Sequence, residues 1–582
     1  VNTDRPATVG ELSAWAAARY GDTIAVRGAE RELSYVELDV AVLETAAGLA
    51  GLGVRAGDHV ALLAETRPEW TICDLAIAML GAVCVPVYPT NSADECAWVL
   101  GDSMAATVIC ENQSHVDRIA SVRDSLPALA TMVSIDELPG VLSLAELRAK
   151  GGDVPATAVA PGSPNTIVYT SGTTGPPKGC LLSHTNWRTS LDAIEQVTTL
   201  GPGDVIYLYL PLAHLFARMV QLTTFECGAT LHYFGGDIRD VVTELTSVRP
   251  THLPSVPRLF EKVYRTVLAT AAGAEPDGER KVTASVEVGL RVRQARHRGE
   301  PVSDVDVEAF ARADERLFSL VRNAFGGRVR EALTGAAPIA AEILEFFYAC
   351  GVPVYEAYGM TESCALISAN VPGSVRFGTV GQVLPGIEAR IAEDGEVLAR
   401  GRNVFGGYLN NPAGTDEMIG DGWLRTGDLG VLDDEGFLTI NGRKKDIIIT
   451  AGGKNLTPAN LENDLRQSRW ISHAVMIGDR RPYAVALIAL DQDEITAWAT
   501  ARDLPPDPAA LAEHPAVHDL IRAEVDRANG RYAPPARIRR FAVLGRDFSQ
   551  ETGELTPTLK IRRAVVGELY ADVIDTLYAD LS

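Results

Sequence analysis

The chain has 582 residues, 46% hydrophobic and 22% charged, an ordinary globular balance with length for about four folding units or fewer large ones. A formal net charge of −23 excludes a general nucleic-acid binder, since phosphate backbones are held by clustered Lys and Arg. The longest apolar stretch, Ala76 to Pro89, falls short of the roughly 20 residues that span a bilayer, and Gly81 and Pro86 interrupt it. In chain order, YVELDVAVLETAAGLAGLG has helical spacing and ends in glycines, DHVALLA reads as a buried strand, PEWTICDLAIAMLG as a proline-started helix, and AVCVPVY as a strand again. The alternation resumes in AATVICE and runs to TIVYT, which predicts an α/β fold with a largely parallel sheet. A long charged helical section follows over roughly Glu279–Gly326. Between Gly378 and Gly442, short runs such as EVLARG and GFLTI separated by Gly, Asn and Asp predict a β-rich subdomain. The last stretch reads as a small α+β domain, with the boundary at the polar turn NGRKKD, Asn441–Asp446. The eight cysteines contain no C-x-x-C pair, and the start VNTDRPATVG lacks a signal-peptide pattern, so reduced thiols, no structural zinc and a cytoplasmic location are expected.

One segment demands a ligand or a turn. YTSGTTGPPKGC, Tyr169–Cys180, follows a predicted strand and concentrates hydroxyls and glycine N–H groups, which together can surround phosphate oxygens. It is not the standard phosphate loop, because that pattern requires Gly-Lys-Ser/Thr and here Pro177 precedes Lys178 and Gly179 follows it. Taken alone, the segment suits phosphate binding or a plain surface turn.

The full string resembles the phosphate-loop signature of the adenylate-forming superfamily, and the resemblance recurs in order along roughly Gly10–Tyr570. LPLAHLFAR (Leu210–Arg218), GAAP (Gly335–Pro338), YGMTES (Tyr358–Ser363), WLRTGD (Trp423–Asp428), GRKKDIIITAGGKN (Gly442–Asn455) and LTPTLKIRR (Leu555–Arg563) stand where that superfamily has its motifs. RPTHLPSVPRLFEKVY, the helical section after it and GGKNLTPANLEN are similar to the long-chain fatty acyl-CoA synthetases within it. The fold the resemblance implies is a large N-terminal domain, residues 1–443, of two α/β subdomains and a β-rich one. A small mobile α+β C-terminal domain, residues 444–582, would act as a lid. The chemistry it implies is activation of a fatty acid by ATP with Mg²⁺ to acyl-AMP and pyrophosphate, then acyl transfer to coenzyme A.

By the same resemblance, Thr170, Ser171, Gly172, Thr173, Thr174, Gly175 and Lys178 would hold the β- and γ-phosphates. Glu362 would ligate Mg²⁺, Thr361 would bond the α-phosphate, and Tyr358, with Gly359 and Met360, would meet the adenine. Gly335, Ala336, Ala337 and Pro338 would line the other side of the base. Asp428 would take the ribose hydroxyls and Arg443 the ribose or phosphate. Lys560 would bridge the carboxylate and the α-phosphate, and Lys445 would be the hinge. Gly452, Gly453 and Lys454 would face coenzyme A, although a plain turn explains their glycines equally. Outside this reading, Lys178 is a surface lysine, Thr361 and Glu362 a helix start, and Asp428 a turn residue.

His214, Tyr233, Phe234 and Pro254 are the candidates for the acyl pocket, with core packing as the other reading of each. The tryptophan that gates some long-chain relatives has no counterpart in FECGATLHYF. RVRQARHR, Arg291–Arg298, reads as a solvated helix face, with peripheral contact to anionic lipid at the inner membrane face as the alternative. Two rival functions stay open. One is a fatty acyl-AMP ligase handing its product to an acyl carrier protein, and the other is an inactive acyl or nucleotide sensor. The oligomeric expectation is a monomer or a homodimer.

Overall fold

Two prolines inside strands mark where the sheets open. In the computed structural model, Pro86 lies in the strand Val83–Val87 and Pro254 in His252–Ser255. Val83–Val87 pairs along its whole length with His59–Leu63 on one side, but with Pro164–Thr170 on the other only at Cys84. His252–Ser255 likewise pairs fully with Glu331–Thr334 and meets Val205–Leu208 only at His252. A proline has no N–H for a second ladder, so the hydrogen-bonded register with that neighbour is short, and open α/β sheets place their ligands beyond the carboxyl ends of such strands. The structure describes residues 5–29, 31–154, 158–170, 176–237, 240–556 and 559–579.

Two large sheets form the first body. The seven-stranded one runs in the order Leu142–Ser143, Thr131–Ser134, Thr107–Cys110, His59–Leu63, Val83–Val87, Pro164–Thr170, Lys178–Ser183. It is parallel except for the last pair, a hairpin in which Thr170 stands opposite Lys178. The nine-stranded sheet is parallel from Ile24–Arg27 to Val354–Tyr358 and carries antiparallel edge strands at both ends. The predicted helices appear as Tyr35–Gly51, N-capped by Ser34, and Pro68–Met79, started by Pro68.

A five-stranded antiparallel sheet built on Glu396–Gly401 and Trp423–Leu432 follows, as the β-rich texture predicts. The helical section comprises three helices, Gly278–His297, Asp304–Ala313 and Ser319–Ala324, the last two joined by a π-turn at Asp314–Phe318. Arg291 in that section pairs with Asp306, Arg298 with Glu300, and Arg293 donates to the carbonyl of Ala349. These arginines of the basic run are therefore engaged by their own neighbourhood.

A buried ion pair locks the first body together. Arg218, 1% exposed, meets Asp74, 0% exposed, through Nε at 2.9 Å and Nη2 at 2.5 Å. Its third nitrogen donates to Thr166, on the strand that leads into the hairpin, and the Trp187 ring lies 4.9 Å from the guanidinium. Leaving one such charge unpaired in the core is strongly destabilising, so strand 164–170, helix Pro68–Met79 and helix Leu215–Cys227 are held in one arrangement. The eight cysteines are all free thiols.

After Leu438–Arg443 the chain makes a single turn, Lys444–Asp446, and enters the small body, a three-stranded sheet of Ile471–Ile477, Ala484–Leu490 and Ile538–Leu544 flanked by helices. Strand Ala484–Leu490 is buried at every position, so this body has its own core. Among the described residues, three ion pairs reach from it to the first body: Arg466–Glu261 at 3.9 Å, Arg531–Glu342 at 3.5 Å and Arg562–Glu95 at 3.6 Å. Among the described residues no helix is long and apolar enough to cross a membrane.

Candidate active site

The site residues come together where the small body meets the large one. Lys560 is tied back to Thr556, whose N–H donates to the Lys560 carbonyl at 2.9 Å and whose hydroxyl accepts from the Lys560 N–H at 3.0 Å. Leu559 beside it adopts a left-handed φ of 59°, an uncommon cost for a leucine. The Lys560 ammonium acts electrostatically on His214, Arg443, Asp428 and Glu362, all from the first body. Its surface is open to solvent although protein surrounds it, as for a side chain lining a cleft. That enclosure, reinforced by Arg443, lowers its pKa against the pull of Asp428 and Glu362.

Asp428 and Arg443 face each other across antiparallel strands. Asp428 is 4% exposed and accepts from the Tyr358 hydroxyl at 2.7 Å through Oδ2, while Arg443 Nε lies 3.1 Å from Oδ1. Burial works against the Arg443 charge, and Asp428, Asp446, Tyr358 and Glu362 outweigh it, so its pKa rises. Gly335 is tightly placed, since a Cβ there would lie 3.1 Å from the Ala357 carbonyl. Ala336, with φ of 67°, is exposed along with Ala337 and Pro338, which gives this loop a strained, accessible face of small residues.

The loop Tyr358–Ser363 is equally constrained. A Cβ on Gly359 would fall 2.0 Å from the Ala365 carbonyl, and Cys364 and Ala365 both take left-handed φ. Met360 N–H donates to Ser363 Oγ at 3.0 Å, and Asn403 Nδ2 donates to the carbonyls of Ser363 and Leu366. The result places Thr361 and Glu362 in a short 3₁₀ turn, with Glu362 only 6% exposed. Glu362 Oε1 accepts from the Tyr408 hydroxyl at 2.6 Å. Lys178 Nζ lies 5.0 Å from the centroid of the same Tyr408 ring.

Of the predicted phosphate-binding residues, Thr170 and Lys178 close the hairpin, while Ser171, Gly172, Thr173, Thr174 and Gly175 lie outside the described residues. Trp98, from helix Ala93–Asp102, donates its indole N–H to the Pro177 carbonyl at 2.9 Å and so braces the hairpin base. No group of three His, Cys, Asp or Glu side chains forms a metal cage among the described residues. Magnesium nevertheless fits, because in nucleotide sites it takes one or two carboxylates and completes its shell with phosphates and water, and Glu362 is such a buried carboxylate.

His214 caps helix Leu215–Cys227, its Nδ1 accepting from the Phe216 N–H at 3.2 Å. The proton therefore sits on Nε2. Burial, with help from Lys560, pushes its pKa down to about 4, so the ring is neutral at physiological pH.

The remaining pocket candidates are more enclosed. Tyr233 is 3% exposed with its hydroxyl bonded to Thr71, Pro254 is buried within its strand, and Phe234 is partly buried. Lys445 lies exposed in the turn Lys444–Asp446. Gly452, Gly453 and Lys454 form an exposed hairpin turn between Ile448–Ile449 and Asn455–Leu456, closed by Thr450 N–H to the Lys454 carbonyl at 3.0 Å.

Sequence reasoning missed Tyr408, Trp98 and Asn403. The first stands in FGGYLN, where paired glycines before an aromatic hint at a constrained loop; the other two carry no local signal.

A family profile described as AMP-binding enzyme matches residues 13–409, and one described as AMP-binding enzyme C-terminal domain matches residues 445–582. The long-chain-fatty-acid–CoA ligase FadD15 of Mycobacterium tuberculosis is 39% identical over 572 residues, covering 95% of this chain and 93% of the relative. The long-chain-fatty-acid–CoA ligase ACSBG2 of Xenopus laevis is 32% identical over 99% of this chain and 84% of its own length. Among solved structures, the anthranilate CoA ligase AuaEII in complex with anthranoyl-AMP superposes with a TM-score of 0.76 at 22% identity, covering 99% of both chains. The adenylation domain of a carboxylate reductase from Mycobacterium chelonae gives 0.78 at 21% identity, covering 98% of this chain and 91% of that one.

Proposed function

The chain belongs to the AMP-binding enzyme family and is a long-chain fatty acid–CoA ligase, an ATP-dependent acid–thiol ligase, and we propose that Lys560 carries its first half-reaction. In that step the fatty-acid carboxylate attacks the α-phosphorus of ATP and the bond to the β-phosphate breaks, giving acyl-AMP and pyrophosphate. In the second, the thiol of coenzyme A attacks the acyl carbonyl, AMP leaves, and the thiol proton passes to solvent.

The observation that carries the proposal is the meeting of Lys560, from the small body, with Glu362, Asp428, Arg443 and His214 of the large one. Two anions repel as they join, and an ammonium held between them offsets that repulsion where charge develops. Asp428 offers two oxygens with two acceptor sites each, enough to receive both ribose hydroxyls while keeping Tyr358 and Arg443. The neutral His214, donating through Nε2, suits the acyl carboxylate as a hydrogen-bond partner and not as a base. Thr361 reaches the α-phosphate, and Lys178 with the hairpin residues holds the β- and γ-phosphates. Glu362 would hold magnesium, which would supply further positive charge on the pyrophosphate side.

The second half-reaction needs the same cleft without the lysine. Rotation about Lys445 withdraws Lys560 and brings the turn Gly452–Lys454 round to the thiol, which sets the domain boundary at residues 443/444. The reading places the enzyme in the cytoplasm, with coenzyme A rather than a carrier protein as acceptor.

Lys560→Ala tests it. Pyrophosphate release from ATP and a long-chain acid should fall about a hundred- to a thousandfold, the cost of removing a preorganised charge from a transition state. Thioester formation from supplied acyl-AMP should stay near wild type. Equal loss in both assays, or none in the first, overturns the assignment. AMP formed without thioester by the unaltered enzyme would identify an acyl-AMP ligase instead.

A further inference from the structure

We infer that Tyr408 is a positioning residue that couples the two charge-handling groups of the nucleotide site, its hydroxyl fixing Glu362 and its ring seating Lys178. The inference rests on the reading of Glu362 and Lys178 given above. One side chain touches both: the phenol donates to Glu362 Oε1 at 2.6 Å, and the ring face lies 5.0 Å from Lys178 Nζ. Tyr408 is 7% exposed, so both contacts are made largely out of water, where a hydrogen bond to a carboxylate and a cation over a ring are strongest.

The surrounding backbone leaves the ring little freedom. Gly406 N–H donates to the Leu181 carbonyl at 3.0 Å, Leu181 N–H to Gly407 at 3.0 Å, and Leu409 N–H to Gly179 at 2.8 Å. Residues 406–409 are thereby zipped onto the edge strand that begins at Lys178. At the other end Phe405 N–H donates to the Glu362 carbonyl at 2.8 Å, while Tyr408 N–H is tied to Thr415 Oγ1 at 2.9 Å. The segment therefore joins the phosphate hairpin to the Glu362 turn twice, once through backbone and once through the Tyr408 side chain. A carboxylate pinned at one oxygen keeps a single orientation towards an incoming ion, and an ammonium resting on a ring keeps its reach towards the phosphates.

Two variants separate the two contacts. Tyr408→Phe removes the hydroxyl and keeps the ring; Tyr408→Leu removes both. Metal binding is read without turnover, by the electron paramagnetic resonance signal of free Mn²⁺ titrated into full-length enzyme with α,β-methylene-ATP. The magnesium concentration for half-maximal pyrophosphate release is measured in parallel. Tyr408→Phe should weaken Mn²⁺ binding and raise the magnesium requirement by about ten- to a hundredfold, as loss of a partner that orients a metal ligand does. KM for ATP at saturating magnesium should stay unchanged. Tyr408→Leu should show the same metal defect and raise KM for ATP as well.

Glu362→Gln serves as the reference. If it weakens Mn²⁺ binding and Tyr408→Phe does not, the coupling role of Tyr408 is wrong while the reading of Glu362 stands. If neither variant alters Mn²⁺ binding, the assignment of Glu362 falls and takes this inference with it.

Discussion

Glu356 lies two residues before Tyr358 on strand Val354–Tyr358, 6% exposed, and burial pushes its carboxyl up to about 8 against the help of the Ile339 backbone. Its folded pKa thus stands above the ordinary value of 4.5, so the folded state holds a proton that the unfolded state gives up. The stabilisation from that proton is complete below about pH 4.5 and is lost as pH rises through about 8. Glu356→Gln, neutral at every pH, should therefore melt a few degrees higher than wild type at pH 9 and at nearly the same temperature at pH 5. Thermal melts at the two pH values check this, and a variant equally stabilised or destabilised at both would show that the carboxyl is already ionised in the fold. The charged residues of the cleft were legible in the sequence because each stands in a long ordered motif; Asp428 and Arg443 could be named before their strands were known to pair. Tyr408 was not legible, because its two contacts lie far away in the chain, one with Glu362 46 residues upstream and one with Lys178 at the start of the strand Lys178–Ser183, which no local pattern announces.

At the scale of elements, the phosphate hairpin depends on what lies beside it. Thr170 and Lys178 set its register, and Trp98 fastens the Pro177 carbonyl from helix Ala93–Asp102. Trp98→Phe keeps an aromatic ring but removes the donor. A net hydrogen bond is worth about 1 kcal/mol, so KM for ATP should rise about threefold to fivefold with kcat little changed, measured by steady-state pyrophosphate release. An unchanged KM would mean the hairpin keeps its place without this brace. Hydrophobic periodicity foretold the helices Tyr35–Gly51 and Pro68–Met79 and the strands between them, because each buries one face. It did not foretell that Lys178 opens an edge strand, since Gly, Pro and Thr hide the alternation there. The helical section breaks between His297 and Asp304, where Gly299 takes a left-handed φ of 68° and Ser303 caps the next helix, signals present in the sequence, and it bulges at Asp314–Phe318, which no local pattern announces.

Across the whole molecule, the small body stands against the large one with Lys560 under the electrostatic influence of Asp428 and Glu362, the arrangement that the proposed first half-reaction requires. The three ion pairs that join the bodies, Arg466–Glu261, Arg531–Glu342 and Arg562–Glu95, put arginine on the small body and glutamate on the large one each time. They are long and partly solvated, and exposed pairs of this kind contribute roughly 0–1 kcal/mol each and weaken as salt rises. Raising sodium chloride from about 0.05 M to 0.5 M, which cuts the screening length from about 14 Å to about 4 Å, should slow acyl-AMP formation severalfold and leave thioester formation from supplied acyl-AMP nearly untouched. Rapid-quench measurement of the two half-reactions decides it, and an equal effect on both would rule out these pairs as a hold on the closed form.

The turn that carries Lys560 has a further consequence. On the proposed mechanism its ammonium comes from a body that swings away before any thiol enters, so the mixed anhydride waits, for one domain stroke, in a pocket stripped of the cation that made it. Under that mechanism, whatever keeps water off the anhydride during that interval governs how many ATP molecules are spent per thioester.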